Sequence, residues 1–120
     1  MHTITSVEDL RALAEKRVPR MFYDYVDSGS WTETTYHANS EDFRKIKLRQ
    51  RVAVNMDGRK TDVTMVGQAA RMPVAIAPVG LTGMQYADGE IHAARAAEEF
   101  GIPFTLSAMC ICSIEGGAEN

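Results

Sequence analysis

The sequence predicts an α/β fold, with helices gathered at the N-terminus and a strand–helix–strand unit towards the C-terminus. Three observations carry that class. Met72 to Ala77 is a short apolar run bounded by Pro73 and Pro78, as a strand covered on both faces would be. From about Gly89 to Phe100, Ala93, Ala97 and Phe100 are spaced for one helical face, and Gly101 stands where a helix would stop. Pro103 to Ser107 reads as a second strand, and strand, helix and strand in this compass make a parallel βαβ unit.

The elements before that unit follow in order. Ser6 and Asp9 form an S-x-x-D start for a first helix, on which Leu10, Leu13 and Ala14 share a face. Lys16 and Arg17 suit its negative C-terminal end. Pro19 opens a second short helix and Gly29 closes it. Thr32 caps a third helix, which offers Tyr36, Ala38 and Phe43 for burial. Residues 1–47 thus make a helical block. Leu48 to Val54 and Thr61 to Val66 are β-rich and flank the turn-prone NMDGRK, which predicts a small antiparallel strand pair within 48–67. The parallel unit occupies 72–120, with Asp88 as the N-cap of its helix and Glu90 as a favourable charge in the first turn.

Composition narrows the function classes. With 45% hydrophobic and 24% charged residues, the 120-residue chain has the make-up of a soluble globular protein. A net charge of −3 offers no electrostatic footprint for nucleic acid. There is no run of about 18 apolar residues to span a membrane, and MHTITSVEDL lacks the basic and apolar regions of a secretory signal. Cys110 and Cys112 are spaced poorly for a disulfide, which fits a reducing, cytoplasmic setting. They lack the second ligand pair of a zinc site, so buried thiols are the better reading and no metal site is expected. His2, His37 and His92 are scattered, and the basic run from Arg44 to Arg51 reads as a solvated face.

The stretch MPVAIAPVGLTGMQYADGE, Met72 to Glu90, is the organising one. Pro78 ends strand pairing, and Gly80 and Gly83 permit close approach of main chain to a ligand. By itself it is also an ordinary strand–turn–helix. IAPVGLTGM, DGE and the later PFTLS together resemble the FMN-dependent 2-hydroxy acid dehydrogenases and oxidases, with wording nearest the bacterial respiratory L-lactate dehydrogenases. The resemblance runs from YDY at Tyr23–Tyr25 to SIE at Ser113–Glu115.

The resemblance implies the N-terminal part of a TIM (β/α)8 barrel, a fold of roughly 250 residues whose active face lies at the C-terminal strand ends. Pro78 to Gly80 and Ser107 to Met109 fall at such ends. By resemblance, Pro78, Val79, Gly80 and Ser107 bind FMN, Tyr25 hydrogen-bonds the substrate carboxylate, and Met109 shapes the substrate pocket. Each position has a plainer alternative: a turn glycine at Gly80, a serine satisfying nearby backbone at Ser107, a core methionine, and a packed tyrosine. Tyr23 is read as structural. The implied activity is oxidation of a small L-2-hydroxy acid, L-lactate first, with quinone, cytochrome or oxygen as electron acceptor. The implied setting is a cytoplasmic homo-oligomer, or one peripheral on the cytoplasmic face of the inner membrane, with no nucleic-acid partner.

The family's histidine base, carboxylate-clamping arginine and flavin-side lysine belong to later barrel strands and have no counterpart among these 120 residues. The sequence therefore holds part of the flavin and substrate site and no catalytic acid–base residue. Two readings stay open: the N-terminal portion of an FMN-dependent dehydrogenase, and a non-catalytic remnant or flavin-binding module. The coding sequence downstream of Asn120 discriminates them. Continuation into a barrel bearing the histidine and arginine supports the first.

Overall fold

The computed structural model describes residues 3–115. It divides into two compact units, Met1–Asp57 and Gly58–Asn120.

The first unit is the expected helical block. Helix α1, Val7–Arg17, begins with a complete capping box. Ser6 Oγ accepts from Asp9 N–H at 3.3 Å, and Asp9 Oδ2 accepts from the N–H groups of Ser6 and Thr5 at 3.0 and 2.9 Å. These contacts occupy donors that a helix start leaves unpaired, and they hold the Asp9 carboxyl below the usual range. Val18 is extended, as the residue before a proline tends to be, and Pro19 opens α2, Arg20–Asp27. The guanidinium of Arg11 grips Asp27 with two bonds, Nε to Oδ1 at 2.6 Å and Nη2 to Oδ2 at 3.0 Å, tying α1 to α2.

Two expectations in this block are corrected. Ser28, not Gly29, closes α2, donating from both its N–H and its hydroxyl to the Asp24 carbonyl. Gly29 instead gives room to the next helix: a Cβ there would lie 2.8 Å from Tyr36 Cβ. Helix α3, Thr34–Lys45, starts after Glu33 rather than at a Thr32 cap. The Thr32 hydroxyl pairs with that of Thr34, while the Glu33 carboxylate turns back to accept from Gly29 N–H at 2.9 Å. Tyr36 and Ala38 are half-buried but Phe43 is exposed.

In the second unit the antiparallel pair is real but displaced. Strands β1, Val63–Met65, and β2, Gln68–Ala70, pair with Val63 opposite Ala70. Leu48 to Val54 forms no strand, and Asp57-Gly58 turns without a strand on either side. The hairpin turns instead on Val66-Gly67, both with positive φ (51° and 79°), as a two-residue type I′ turn requires. A β-branched residue is costly there, and this is why Val66 reads from sequence as strand.

The βαβ unit is present in outline. Helix α5 runs Gly89–Phe100, and Gly101 at φ 78° returns N–H bonds to the Ala97 and Glu98 carbonyls. The predicted strands 73–77 and 103–107 are reduced to one parallel bridge, Ile76 to Phe104. Its two bonds are Ile76 N–H to Pro103 O at 2.9 Å and Thr105 N–H to Ile76 O at 3.1 Å. Parallel pairing is thus as expected, at a fraction of the expected length. A four-residue helix α4, Thr82–Gln85, precedes α5 and has no sequence forecast. Asp88 occupies the N-cap position of α5 but in a left-handed conformation, with no side-chain capping bond.

Apolar burial is slight. Only Ala70 and Ala97 are fully buried apolar residues among those described, while Val74, Val79, Phe100 and Ile111 are each about half exposed. Surface of that kind binds other apolar surface. Residues 1–120 expressed alone are expected to bind a hydrophobic dye such as ANS and to unfold without a cooperative transition. A sharp two-state melt without dye binding would contradict this. In the full-length protein, Val66→Asn should relieve the left-handed strain at the hairpin and stabilise it by about 1 kcal/mol, raising Tm. An unchanged or lowered melting temperature would show that Val66 has packing worth more than its backbone strain.

Candidate functional site

The parallel bridge at Ile76 sets where the chemistry of the second unit can lie. Downstream of it, both chains turn at the C-terminal side of the pair, and the two turns meet. Leu81 N–H donates to the Met109 carbonyl at 3.0 Å, so the segment 78–81 lies against the segment 107–109. Leu81 itself is left-handed, at φ 56°, which swings the chain from the turn into α4. The Thr82 hydroxyl donates back to the Val79 carbonyl at 3.1 Å and steadies the same turn.

Pro78 and Val79 are exposed and Gly80 is half-buried, giving a small apolar surface at the strand end. Ser107 is half-buried, and its Oγ accepts from Met109 N–H at 3.1 Å. That bond uses one lone pair and leaves the hydroxyl proton as a donor for another group. The Met109 side chain is exposed at 59%. Five of the six sequence-predicted site residues, Pro78, Val79, Gly80, Ser107 and Met109, therefore share one end of the parallel pair. Tyr25 lies on α2 in the other unit, with 54% of its surface exposed. An apolar strip with a hydroxyl donor beside it suits a flat heteroaromatic ring with a polar edge, and the residues present fit FMN on that ground.

The two turns share a buried acid that the sequence marks only as a favourable charge at a helix start. Glu90, in the first turn of α5, is 4% exposed. Its Oε1 accepts from Gly83 N–H at 3.2 Å and from Ile111 N–H at 3.3 Å. Burial pushes its pKa up, but hydrogen bonds from the N–H groups of Glu90 itself, Ile111, Gly83 and Thr82 outweigh that and hold the carboxyl below its ordinary value. No local signal marks it, because a glutamate in a first helical turn is more often a solvated partner of the helix dipole.

The first unit holds a separate polar cavity of about 400 Å³ lined by Arg11, Asp27, Glu33, Tyr36 and His37 among others. Its charges are paired internally. The Arg11 guanidinium holds the Asp27 carboxyl below the usual carboxylate range and also donates to the Tyr36 hydroxyl at 3.2 Å. For Tyr23, burial first and then Asp27 raise the phenol above its ordinary value, against a lowering bond from Arg11. Tyr23 thus belongs to this cluster, in keeping with a structural role. None of the predicted site residues lines the cavity.

Residues 14–120 match the model of the FMN-dependent dehydrogenases, and the chain belongs to that family, whose cofactor is FMN. Among curated relatives, the chain is 46% identical over 112 residues to an L-lactate dehydrogenase of Stenotrophomonas maltophilia, covering 93% of this chain and 30% of that protein. It is 45% identical to an L-lactate dehydrogenase of Alcaligenes faecalis over the same shares. Among solved structures, it superposes on a soluble mutant of the membrane-associated (S)-mandelate dehydrogenase of Pseudomonas putida with a TM-score of 0.87. That match has 36% identity and covers 98% of this chain and 34% of the other. A structure described as the monotopic membrane protein (S)-mandelate dehydrogenase gives a TM-score of 0.88 at 34% identity, covering 99% of this chain and 32% of that one. The chain thus spans about a third of the length of the relatives it matches.

Gly80 offers a direct test of whether this strand-end turn holds the flavin. In the full-length protein, Gly80→Val should lower flavin occupancy, because a branched side chain at the strand-end turn would meet the ring or displace the backbone beside it. Flavin absorbance per purified chain measures this. Full occupancy with normal turnover would remove Gly80 from the site.

Proposed function

We propose that these 120 residues form the N-terminal part of an FMN-dependent (β/α)8-barrel enzyme that oxidises a small L-2-hydroxy acid, L-lactate to pyruvate first. The observation that carries the reading is the meeting of the 78–81 and 107–109 turns at the C-terminal end of a parallel pair. Barrel enzymes build their sites at that end. The identity of 46% to an L-lactate dehydrogenase supports the choice of substrate class.

Pro78, Val79 and Gly80 would hold the flavin ring against their apolar surface, and the Ser107 hydroxyl would donate to the ring's polar edge. When bound, FMN supplies the two-electron acceptor for oxidation of the alcohol carbon. Met109 bounds the space for the substrate's side chain. Its flexible thioether can adapt to a methyl or a larger group. Tyr25 hydrogen-bonds the substrate carboxylate through its phenol, which orients the alcohol carbon without taking its proton. Proton removal falls to a histidine in a later part of the barrel, with an arginine on the carboxylate and a lysine near the flavin. The completed enzyme passes its electrons to a quinone, a cytochrome or oxygen and assembles as a homo-oligomer.

No helix among the described residues is long and apolar enough to cross a membrane. One structural neighbour is described as monotopic. We place the full-length protein in the cytoplasm, peripheral to the cytoplasmic face of the inner membrane.

Tyr25→Phe tests the substrate role at little cost to packing. Removing a hydrogen bond to a charged carboxylate should cost about 1.5–3 kcal/mol, or roughly ten- to a hundredfold in kcat/KM. Steady-state dye reduction with L-lactate by the full-length protein is the assay. A variant within about twofold of wild type would make Tyr25 structural only. A full-length protein that binds no flavin would instead favour the non-catalytic reading.

A further inference from the structure

We infer that Glu90 is a positioning residue: its carboxylate locks the two strand-end turns together and so sets the spacing between the flavin surface at Val79–Gly80 and the Ser107–Met109 wall. The inference rests on the functional reading above for what the turns hold, and on the geometry of Glu90 for what it does.

One oxygen makes the link. Oε1 of Glu90 accepts from Gly83 N–H at 3.2 Å, just after the first turn, and from Ile111 N–H at 3.3 Å, just after the second. Leu81 N–H to Met109 O, at 3.0 Å, is a parallel strap between the same segments. Met109 therefore sits between two ties, its carbonyl fixed to Leu81 and its chain fixed two residues later to Glu90. The N–H of Met109 is held in turn by Ser107 Oγ at 3.1 Å. Movement of Ile111 away from Glu90 would pass to Met109 and then to the Ser107 hydroxyl through these bonds.

The surroundings are shaped for this carboxylate. A Cβ on Gly83 would lie 3.3 Å from Glu90 Oε2 and 3.3 Å from Ile111 Cδ1. A Cβ on Gly89 would lie 2.7 Å from Thr82 Cγ2, so that glycine lets α5 begin directly against α4. With Glu90 4% exposed, backbone donors take over the solvation of its carboxylate that water would supply. The groups pointing at it are donors, and an ionised carboxylate accepts at both oxygens. A glutamine would keep one acceptor but lose the charge that strengthens both ties, and would turn an NH2 towards the remaining backbone donors of Glu90 and Thr82. A surface glutamate at a helix start would have neither the burial nor the two ties across turns.

The test uses the full-length holoenzyme with Glu90→Gln, Glu90→Ala and Gly83→Ala. Glu90→Gln keeps the volume and one acceptor, so it should fold with a small change in Tm. It should nevertheless shift the visible flavin band and raise KM for L-lactate about tenfold, because small displacements at a reacting site are costly. Gly83→Ala, which crowds Oε2 and leaves Glu90 in place, should move the same readouts in the same direction. The double variant Gly83→Ala/Glu90→Gln should show less than the product of the two single effects, since both act on one interaction. Glu90→Ala leaves buried N–H groups unpaired and should lower flavin occupancy further. If Glu90→Gln lowers Tm while the flavin band, occupancy and KM stay at wild-type values, Glu90 is structural only and the inference is wrong. If wild-type holoenzyme oxidises no 2-hydroxy acid, the functional reading fails. The flavin band and occupancy of the variants then decide the role of Glu90 alone.

Discussion

A buried carboxylate ringed by backbone donors is the constraint on which the second unit depends. Glu90 cannot be taken out of water unless several N–H groups converge on it, because an unpaired charge would cost far more than the unit's slight apolar burial returns. Convergence in turn demands a defined path: α4 must start where Gly83 presents its N–H, α5 must start beside it, and the chain beyond Met109 must come back to present Ile111. The lowered pKa of Glu90 means the folded state favours the ionised form. Stability from it is present above the ordinary glutamate pKa and is lost as pH falls through the lowered value in the folded state. Around neutrality the clamp is therefore charged and fully engaged.

The parallel bridge at Ile76 and the Glu90 clamp act on different scales. Two ladder bonds put the strand segments side by side but say little about the turns that follow. The clamp and the Leu81–Met109 bond carry that alignment past the strands into the two turns proposed to hold the ligand. Rigid supporting bonds beneath loops that contact ligand are what precise sites require, since loops alone position poorly. Apolar packing contributes little to this order: Ala70 and Ala97 are the fully buried apolar residues among those described. Polar geometry, rather than a large core, specifies the local path. The half-exposed Val74, Val79 and Ile111 then fit a unit whose apolar faces are meant to meet more protein.

Much of this was legible in the sequence, and the failures have physical reasons. The capping box at Ser6 and Asp9, the proline opening of α2, and the α5 span ending at Gly101 each follow from local chemistry, and local chemistry is visible in one dimension. Asp57-Gly58 is the better turn dipeptide, yet the hairpin turns on Val66-Gly67, where a β-branched residue accepts positive φ. Pairing between strand partners overrode the intrinsic preference of Val66. Asp88 stands at the N-cap of α5 as its residue type suggests, but its left-handed backbone leaves the side chain without a capping bond. The burial of Glu90 is hidden in the sequence for a related reason. A glutamate in a first helical turn is so often a solvated partner of the dipole that nothing local marks the buried case. Only the return of Ile111 from 21 residues away reveals it.

The distribution of chemistry along the chain follows from the same geometry. A flavin surface asks for little more than main chain without obstruction, an apolar strip and one hydroxyl, and a strand-end turn rich in small residues supplies these early in a barrel. Charged catalytic groups ask for more, because a base and a carboxylate-binding cation must be held close together yet tuned apart in pKa. That tuning needs enclosure, which two parallel segments with half-exposed apolar faces do not provide. Groups at later strand ends can be enclosed by the whole barrel. On the proposed reading, the first third of such a barrel is suited to carry a cofactor platform and the carboxylate that positions it, and the remainder to carry proton transfer. The 78–81 and 107–109 turns, joined above by Leu81 and Met109 and below by Glu90, have the composition of a platform: acceptors and donors of main chain, one hydroxyl, one thioether, and no titrating group on the exposed side.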